Sequence, residues 1–160
     1  MSSGKTTVSK LLSEKLNKPL YDTDELIVKK INLSINDIFS QFGEEYFRDF
    51  ETKFLEEVSN ESNAIISTGG GIILSEINRE IMHKTGKIIY LSAEFSVIEE
   101  RLEKARKTRP LLMEETEKIK KRYESRQPLY KDCDFEVKIT NDMTPEQVAD
   151  EIILYLGDTK

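Results

Sequence analysis

The sequence predicts an α/β fold in which helices cover both faces of a parallel β-sheet. Short apolar runs rich in β-branched residues alternate along the chain with longer stretches of helical periodicity, the pattern of repeated strand–helix units. One of these runs, at 64–67, leads into three consecutive glycines. Parallel sheets bind ligands beyond the carboxyl ends of their strands, so the residues that follow each run are the first candidates for a functional site.

The predicted elements follow one another without a linker, a repeat or a low-complexity segment. Strands are predicted at 19–22, 64–67, 87–91 and 135–139. Helices are predicted at 5–16, 35–42, 44–58, 76–84, 95–105, 116–126 and 145–156. The last helix begins with Thr144-Pro145-Glu146-Gln147, a capping box with proline at the first helical position. A single domain over residues 1–160 is the simplest organisation.

Composition argues against several classes of protein. With 160 residues the chain is long enough to bury roughly two-thirds of its unfolded surface without disulfides. Its single cysteine, Cys133, excludes an internal disulfide framework and suits a reducing cytoplasm. The net charge of −6 argues against a nucleic-acid binder, because that affinity comes from clustered Lys and Arg. No apolar run approaches the ~20 residues of a membrane span, and we find no signal-peptide pattern. We expect a cytoplasmic protein without a membrane or nucleic-acid partner.

The first helix begins with a phosphate-binding pattern. Ser3-Gly4-Lys5-Thr6 matches the second half of the loop G-x-x-x-x-G-K-[ST], and Thr7 continues the helix. A helix N-terminus offers N–H groups and a partial positive charge, which suit phosphate. In that role Lys5 reaches the outer phosphates and the Thr6 hydroxyl ligates Mg²⁺. The alternative is a serine-capped helix that carries this pattern by coincidence.

Two carboxylates follow the first predicted strand, in Tyr21-Asp22-Thr23-Asp24. In a structural interpretation, Asp22 or Asp24 caps the next helix. In a functional interpretation, Asp22 faces a Mg²⁺ ion and Asp24 accepts a proton or a hydrogen bond from a substrate hydroxyl. The pattern alone leaves both interpretations open.

Gly69-Gly70-Gly71 follows the second predicted strand after one threonine. Three consecutive glycines are costly in backbone entropy, and a simple turn needs only one or two. A backbone that approaches a ligand closely and offers its N–H groups explains all three.

Three arginines lie in segments where a guanidinium group would suit a carboxylate or a phosphate. Arg48 is followed at i+3 by Glu51, which is able to orient it. Arg109 lies in a charged stretch between two predicted helices, and Arg126 precedes Gln127-Pro128. For each arginine taken alone, a surface charge is the alternative.

In this order, the motifs SGKTT, DTD, GEEYFRDFE, TGGG, TRPLL and RQPLY resemble shikimate kinase over nearly the whole chain. The resemblance implies a P-loop kinase of the nucleoside-monophosphate-kinase type, with a three-layer fold and a five-stranded parallel sheet of order 2-3-1-4-5. It also implies transfer of the ATP γ-phosphate to the 3-hydroxyl of shikimate, in the pathway to chorismate and the aromatic amino acids. Another small-molecule P-loop kinase, such as a gluconate kinase, is an alternative that the two arginines Arg48 and Arg126 and the triple glycine disfavour.

The resemblance further implies a role for individual residues. Shikimate is bound by Asp24 at its hydroxyls, by Arg48 and Arg126 at its carboxylate, and by the backbone of Gly70. The nucleotide is bound by Ser3, Gly4, Lys5, Thr6 and Thr7, with Arg109 on its phosphates and Arg101 near its adenine. Mg²⁺ is held by Thr6 and Asp22, and catalysis is assigned to Lys5, Asp24 and Arg109.

Larger segments also have implied roles. The shikimate-binding helices lie at about 24–58, a mobile lid at about 104–115 and the adenine loop around 141–145. We expect a monomer whose small-molecule partners are ATP and shikimate.

The family's phosphate loop reads G-x-M-x-S-G-K-[ST], so Met1 aligns with the methionine inside it. The first glycine of the loop and the central strand before it are not in the sequence, a segment of about 10 residues given usual strand lengths. We expect the native chain to begin upstream of Met1. The alternative is a non-catalytic remnant that at most binds shikimate, so the pattern leaves the activity of the chain as written in doubt.

Overall fold

The structure, a computed structural model, describes residues 3–108 and 116–158. The chain divides into two compact units. One unit is Ser9–Lys87, and the other joins the start of the chain up to Val8 to Ile88–Lys160. The boundary between the units falls within the first helix, α1 (Lys5–Leu16).

The unit Ser9–Lys87 is built on a short parallel pair of strands. β1 (Leu20–Asp22) pairs with β2 (Ile65–Ser67) in a register that runs from Leu20↔Ile65 to Asp22↔Ser67. The other elements that follow α1 are α2 (Thr23–Ile31), α3 (Ile35–Ser59), a 3₁₀ turn (Ile72–Leu74) and α4 (Glu76–Thr85). Because the strands are parallel, the segments that follow β1 and β2 start at the same edge of the pair.

α3 is kinked at Gly43. The backbone there (φ 85°, ψ 170°) lies in a region open essentially to glycine alone, so α3 consists of two helical segments, as the sequence predicts. Residues of both segments share one apolar cluster with α2, whose buried members are Ile27, Ile38 and Phe47. Phe39 of the first segment stacks on Phe47 of the second, with ring centroids 5.0 Å apart.

The other unit is built on a longer parallel pair. β3 (Ile89–Ala93) pairs with β4 (Phe135–Ile139) in a register that runs from Ile89↔Phe135 to Ala93↔Ile139. Its further helices are α5 (Phe95–Thr108), α6 (Thr116–Tyr130) and α7 (Pro145–Asp158). α7 packs on β4, and buried side chains of both elements form the core of this unit: Val137, Ile139, Val148 and Ile152. Each such side chain contributes about 1.5–3 kcal/mol by leaving water.

The capping box predicted at the start of α7 is confirmed. The N–H of Gln147 donates to the Thr144 hydroxyl (3.3 Å), and the N–H of Thr144 donates to Oε1 of Gln147 (2.8 Å). β3 lies two residues later than predicted, because Ser92 and Ala93 continue the ladder opposite β4. The 3₁₀ turn after the triple glycine is not among the predicted elements.

α6 extends past its predicted end at 126, although Pro128 lies in its last turn. Proline has no N–H and usually ends a helix. Here the N–H of Lys131 donates to the carbonyl of Gln127 (3.1 Å), and Tyr130 stacks on Tyr90 of β3 with ring centroids 5.0 Å apart. Contacts with the strand therefore hold a turn that local sequence rules would end.

The predicted α/β class with parallel strands is confirmed. In the predicted order 2-3-1-4-5, β1 and β2 are strands 2 and 3, and β3 and β4 are strands 4 and 5, so both observed pairings agree with it. Within the described residues, no strand takes position 1. None of the helices in the described part of the chain is long and apolar enough to cross a membrane. The single domain over residues 1–160 stays a prediction.

Candidate functional site

Three charged side chains converge on the glycine loop that follows β2. A Cβ on Gly69 would lie 2.7 Å from Oδ1 of Asp24 and 3.0 Å from Oε1 of Glu51. A Cβ on Gly71 would overlap the guanidinium group of Arg48. Neither glycine has a positive φ, so the space taken by these side chains, rather than the backbone conformation, favours glycine at both positions.

The loop thus brings together residues from α2 and α3 that the sequence predicts to bind substrate. Asp24 and Arg48 lie against the two glycines that flank Gly70, the predicted backbone donor. The closeness of these side chains gives glycine a structural reason at 69 and 71. The approach of a ligand stays a prediction.

Arg48 is held by two carboxylates of its own helix. Its Nη1 donates to Oε2 of Glu51 at 2.7 Å, as the i+3 spacing predicts. Its Nε and Nη2 both donate to Oε1 of Glu44, at 3.1 and 2.7 Å. Burial lowers the pKa of Arg48, but hydrogen bonds to Glu44 and Glu51 and the attraction of both charges outweigh it, so the pKa lies above its ordinary value.

The two carboxylates differ in their surroundings. The side chain of Glu51 is 0% exposed, whereas that of Glu44 is 58% exposed. A buried carboxylate is costly unless it is paired, so Glu51 depends on Arg48. The pairing of Glu44 with Arg48 is not among the predictions, although the i−4 spacing is the usual signal for an ion pair on a helix.

Asp22 joins three elements at the edge of the strand pair. It ends β1 and caps α2, with Oδ1 accepting from the N–H groups of Asp24 (3.0 Å) and Glu25 (3.2 Å). Its Oδ2 accepts from the hydroxyl of Ser67, the last residue of β2, at 2.9 Å. The structural interpretation of the DTD motif is therefore confirmed for Asp22. An ionised carboxylate has about four acceptor sites, so capping leaves capacity for a further partner.

The phosphate-loop pattern opens a helix, as predicted. Gly4 has a φ of +86° with nothing within 4 Å of an added Cβ, so glycine is required here for its conformation. Its carbonyl accepts from the N–H groups of Thr7 (3.1 Å) and Val8 (3.0 Å), which starts α1. Ser3 is buried, Lys5 is half-buried, and Thr6 and Thr7 are exposed. Phosphate binding at this helix start stays a prediction.

Arg126 lies half-buried on α6, in the unit that contains β3. Its neighbour Gln127 accepts a hydrogen bond from the Tyr90 hydroxyl at 3.1 Å. Burial raises the pKa of Tyr90 to about 12, so this hydroxyl stays a donor at neutral pH. Because Arg126 and Arg48 belong to different units, their joint grip on one carboxylate stays a prediction.

The remaining candidates lie on the same unit as Arg126 or outside the described residues. Arg101 is half-buried on α5, and Asn141 of the predicted adenine loop donates to Oε2 of Glu100 on that helix at 2.7 Å. Arg109 and most of the predicted lid lie outside the described residues.

The single cysteine, Cys133, is not an activated nucleophile. Burial raises the pKa of its thiol, and the nearby charges of Glu136, Asp134 and Asp132 raise it further, which argues against a nucleophilic role.

Comparison with known proteins identifies the family. The family model described as shikimate kinase matches residues 1–156. The chain belongs to the shikimate kinase family. The shikimate kinase of Caldicellulosiruptor bescii is 43% identical over 155 residues, which are 96% of this chain and 89% of that protein.

Solved structures agree. The crystal structure of the shikimate kinase from Aquifex aeolicus has a TM-score of 0.84 and 37% identity, covering 99% of this chain and 92% of that one. The Acinetobacter baumannii shikimate kinase, determined in complex with shikimate, has a TM-score of 0.88 and 32% identity, covering 99% and 90%.

Family membership gives the chain its activity class. It is an ATP-dependent kinase that phosphorylates shikimate, a step of aromatic amino acid biosynthesis, and its fold is the P-loop kinase fold. Shikimate kinases generally need a divalent metal. Nothing in these matches favours a gluconate kinase or a non-catalytic remnant.

Proposed function

We propose that the enzyme transfers the γ-phosphate of ATP to the 3-hydroxyl of shikimate through the residues of the glycine loop, the DTD motif, the phosphate-loop helix start and the arginines singled out by the motifs. The observation that carries this proposal is the convergence of Asp24 and Arg48 on Gly69 and Gly71. Shikimate carries a carboxylate and several hydroxyls. A guanidinium group suits the carboxylate, and a carboxylate group suits the hydroxyls.

On the shikimate side, Arg48 and Arg126 bind the carboxylate, Asp24 binds the hydroxyls, and the backbone of Gly70 donates to the substrate. The fixed position of Arg48 supports this assignment, because a preorganised fork loses little freedom when it binds a carboxylate. The helices at about 24–58 that carry Asp24 and Arg48 then form the shikimate-binding region.

On the nucleotide side, the helix start Ser3–Thr7 binds the phosphates of ATP, with Lys5 on the outer ones. The helical start at Gly4 supports this, since N–H groups in the first turn point towards an anion placed there. Arg109 binds the transferred phosphate from the lid at about 104–115, and Arg101 lies near the adenine. The assignments of Arg109 and Arg101 rest on the sequence motifs.

The donor set at Thr6 and Asp22 fits Mg²⁺, which prefers oxygen ligands and is commonly held by one or two carboxylates together with substrate phosphates. The hydrogen bonds from Asp24, Glu25 and Ser67 all use Asp22 as an acceptor, which suits an ionised carboxylate. In the described part of the chain, no group of three or more His, Cys, Asp or Glu is placed to hold a metal ion. When bound, Mg²⁺ neutralises part of the phosphate charge.

In the reaction, a bond forms between the 3-oxygen of shikimate and the γ-phosphorus, and the bond from that phosphorus to the β–γ bridging oxygen breaks. The bridging oxygen leaves with ADP. Asp24 orients the attacking hydroxyl and accepts its proton, a contribution of about 10²–10⁴-fold. Lys5 and Arg109 stabilise the charge on the transferred phosphoryl group. The product is shikimate 3-phosphate.

We also propose that the enzyme works as a single kinase domain, as a monomer, in the cytoplasm. The protonated thiol of Cys133 and the absence of a second cysteine from the sequence suit a reducing compartment. Sedimentation of the purified chain with and without ATP and shikimate tests the monomer, which a stable dimer would contradict.

A coupled ADP-release assay tests the shikimate side. Arg48→Ala and Arg126→Ala are expected to raise the shikimate KM by an amount equivalent to about 2–5 kcal/mol, with the ATP KM nearly unchanged. Arg48→Lys keeps a charge for Glu51 and serves if the alanine variant folds poorly. The matched controls are Lys53→Ala on α3 and Lys121→Ala on α6, both exposed cations. An equal rise of the ATP KM in the arginine variants would mean that Arg48 and Arg126 do not act specifically on shikimate.

A further inference from the structure

We propose that Glu44 is an internal competitor of the substrate carboxylate, which covers the binding edge of Arg48 until shikimate displaces it. The inference rests on the proposed role of Arg48 in binding the shikimate carboxylate. It assigns to Glu44 a function in setting the affinity and the anion selectivity of the site.

The guanidinium group of Arg48 leaves one edge for a substrate carboxylate. A carboxylate binds arginine bidentately along one of two edges, either Nη1 with Nη2 or Nε with Nη2. The Nη1/Nη2 edge lies against Gly71, where even a Cβ would overlap both nitrogens, and Nη1 is already bonded to Glu51. The Nε/Nη2 edge is therefore the one left for a substrate.

That second edge is the one that Glu44 covers. A single oxygen of Glu44, Oε1, accepts from both Nε (3.1 Å) and Nη2 (2.7 Å) of Arg48. A substrate carboxylate that binds along this edge needs the same two N–H groups. Glu44 and the substrate carboxylate therefore exclude one another.

Glu44 is the carboxylate that is able to leave. Its side chain is 58% exposed, so it regains water when it rotates away, and a partly exposed ion pair of this kind is weak. Glu51 is 0% exposed, and breaking its ion pair with Arg48 in the interior would be far more costly. Binding thus exchanges Glu44 for the substrate while Glu51 keeps Arg48 in place.

The selectivity of the site for shikimate over simple anions follows from how many oxygens each ligand offers to Arg48. Glu44 offers one oxygen to two N–H groups, whereas a bidentate carboxylate offers one oxygen to each and forms two parallel, charge-assisted bonds. A ligand held also at its hydroxyls displaces Glu44. A simple anion such as chloride or acetate, without those further contacts, gains little from the exchange.

Equilibrium titration with shikimate, and with acetate as the simple-anion probe at constant ionic strength, tests the proposal. Glu44→Gln is expected to lower the shikimate dissociation constant about two- to fivefold, the range for loss of a partly exposed ion pair. Competition by acetate against shikimate should become stronger in this variant by a similar factor. Glu45→Gln, which removes an equal charge at the next, exposed position, is the matched control and should change neither quantity.

A double-mutant cycle separates competition from a general charge effect. In an Arg48→Ala background, or in Arg48→Lys if the alanine variant folds poorly, the effect of Glu44→Gln should largely disappear, because there is no edge to uncover. If Glu44→Gln lowered the shikimate dissociation constant equally in the Arg48 variant, or weakened shikimate binding when present alone, the proposed role of Glu44 would be wrong. If Arg48→Ala and Arg48→Lys themselves leave shikimate affinity unchanged, the proposed binding role of Arg48 fails instead.

Discussion

Gly43 and the pair Gly69 and Gly71 all favour glycine, but for opposite reasons. At Gly43 an added Cβ would meet nothing within 4 Å, but the backbone has a φ of +85°. At Gly69 and Gly71 the backbone suits any residue, but charged side chains occupy the space. Glycine thus sets the course of the backbone at Gly43, and at Gly69 and Gly71 it leaves room for charged side chains. Substitutions at the two places should therefore damage different properties.

The largest effect is expected from Asp24→Asn, which keeps the shape of the side chain against Gly69 and removes its charge. If the loop makes room for a catalytic carboxylate, kcat falls by about 10²–10⁴-fold because the acceptor hydroxyl loses its base. The measurement is the turnover number at saturating ATP and shikimate. Near-normal turnover would show that Asp24 fills space beside the loop and does no chemistry.

Gly71→Ala should separate function from stability at the crowded place. The added methyl group meets the far end of the flexible Arg48 side chain, which is able to move aside. We expect the shikimate KM to rise about 10- to 100-fold, equivalent to about 1.4–2.8 kcal/mol. Urea unfolding should shift by less, about 1 kcal/mol or below. A large loss of stability with an unchanged shikimate KM would mean that Gly71 serves the fold and not the substrate site.

Gly43→Ala should show the opposite pattern. The strained backbone is expected to cost about 1–3 kcal/mol of stability, measured by urea unfolding. Because the kink immediately precedes Glu44, shikimate affinity should also change, but by less than in Gly71→Ala. Unchanged stability would mean that the chain avoids this conformation in solution.

The smallest effect is expected from Gly157→Ala, a control that needs glycine for neither reason. Gly157 lies in α7 with nothing within 4 Å of an added Cβ and without a positive φ. Alanine is preferred to glycine inside helices by about 0.5–1 kcal/mol. Because α7 ends close to Gly157, we expect a gain in stability of about 0.5 kcal/mol. Kinetic constants should equal those of the parent enzyme. If Gly157→Ala were destabilised, free space around an added Cβ would not be enough to predict that a glycine can be replaced, and the predictions for the other glycines would lose their basis.

Much of this architecture was predictable because local signals agree with the fold. The bounds of α1 and β4, the break in α3 and the capping box of α7 all follow from periodicity and capping chemistry. The prediction that Glu51 orients Arg48 follows from helical spacing and is confirmed.

Other features depend on contacts between distant segments, which a single sequence does not contain. Pro128 stays inside α6 because Tyr90, on a strand far away in sequence, contacts Gln127 and Tyr130. Glu44 and Glu51 have equally good spacing to Arg48, and only the packed structure shows that one is exposed and the other buried. The Ser67 contact to Asp22 follows from strand register, which the residue pattern of either strand leaves open.

The burial of Glu51 constrains how this enzyme can evolve. Loss of Arg48 removes the ion pair of a buried carboxylate, a cost of about 3–5 kcal/mol that is a large part of the roughly 5–15 kcal/mol by which a domain is stable. The side chain proposed to recognise the substrate is thus also needed for folding. A lineage that drifts towards a substrate without a carboxylate therefore meets a stability cost at any single change of position 48 to an uncharged residue, unless Glu51 is neutralised first or at the same time. Ancestral or laboratory variants with altered substrate preference are therefore expected to carry paired changes at 48 and 51.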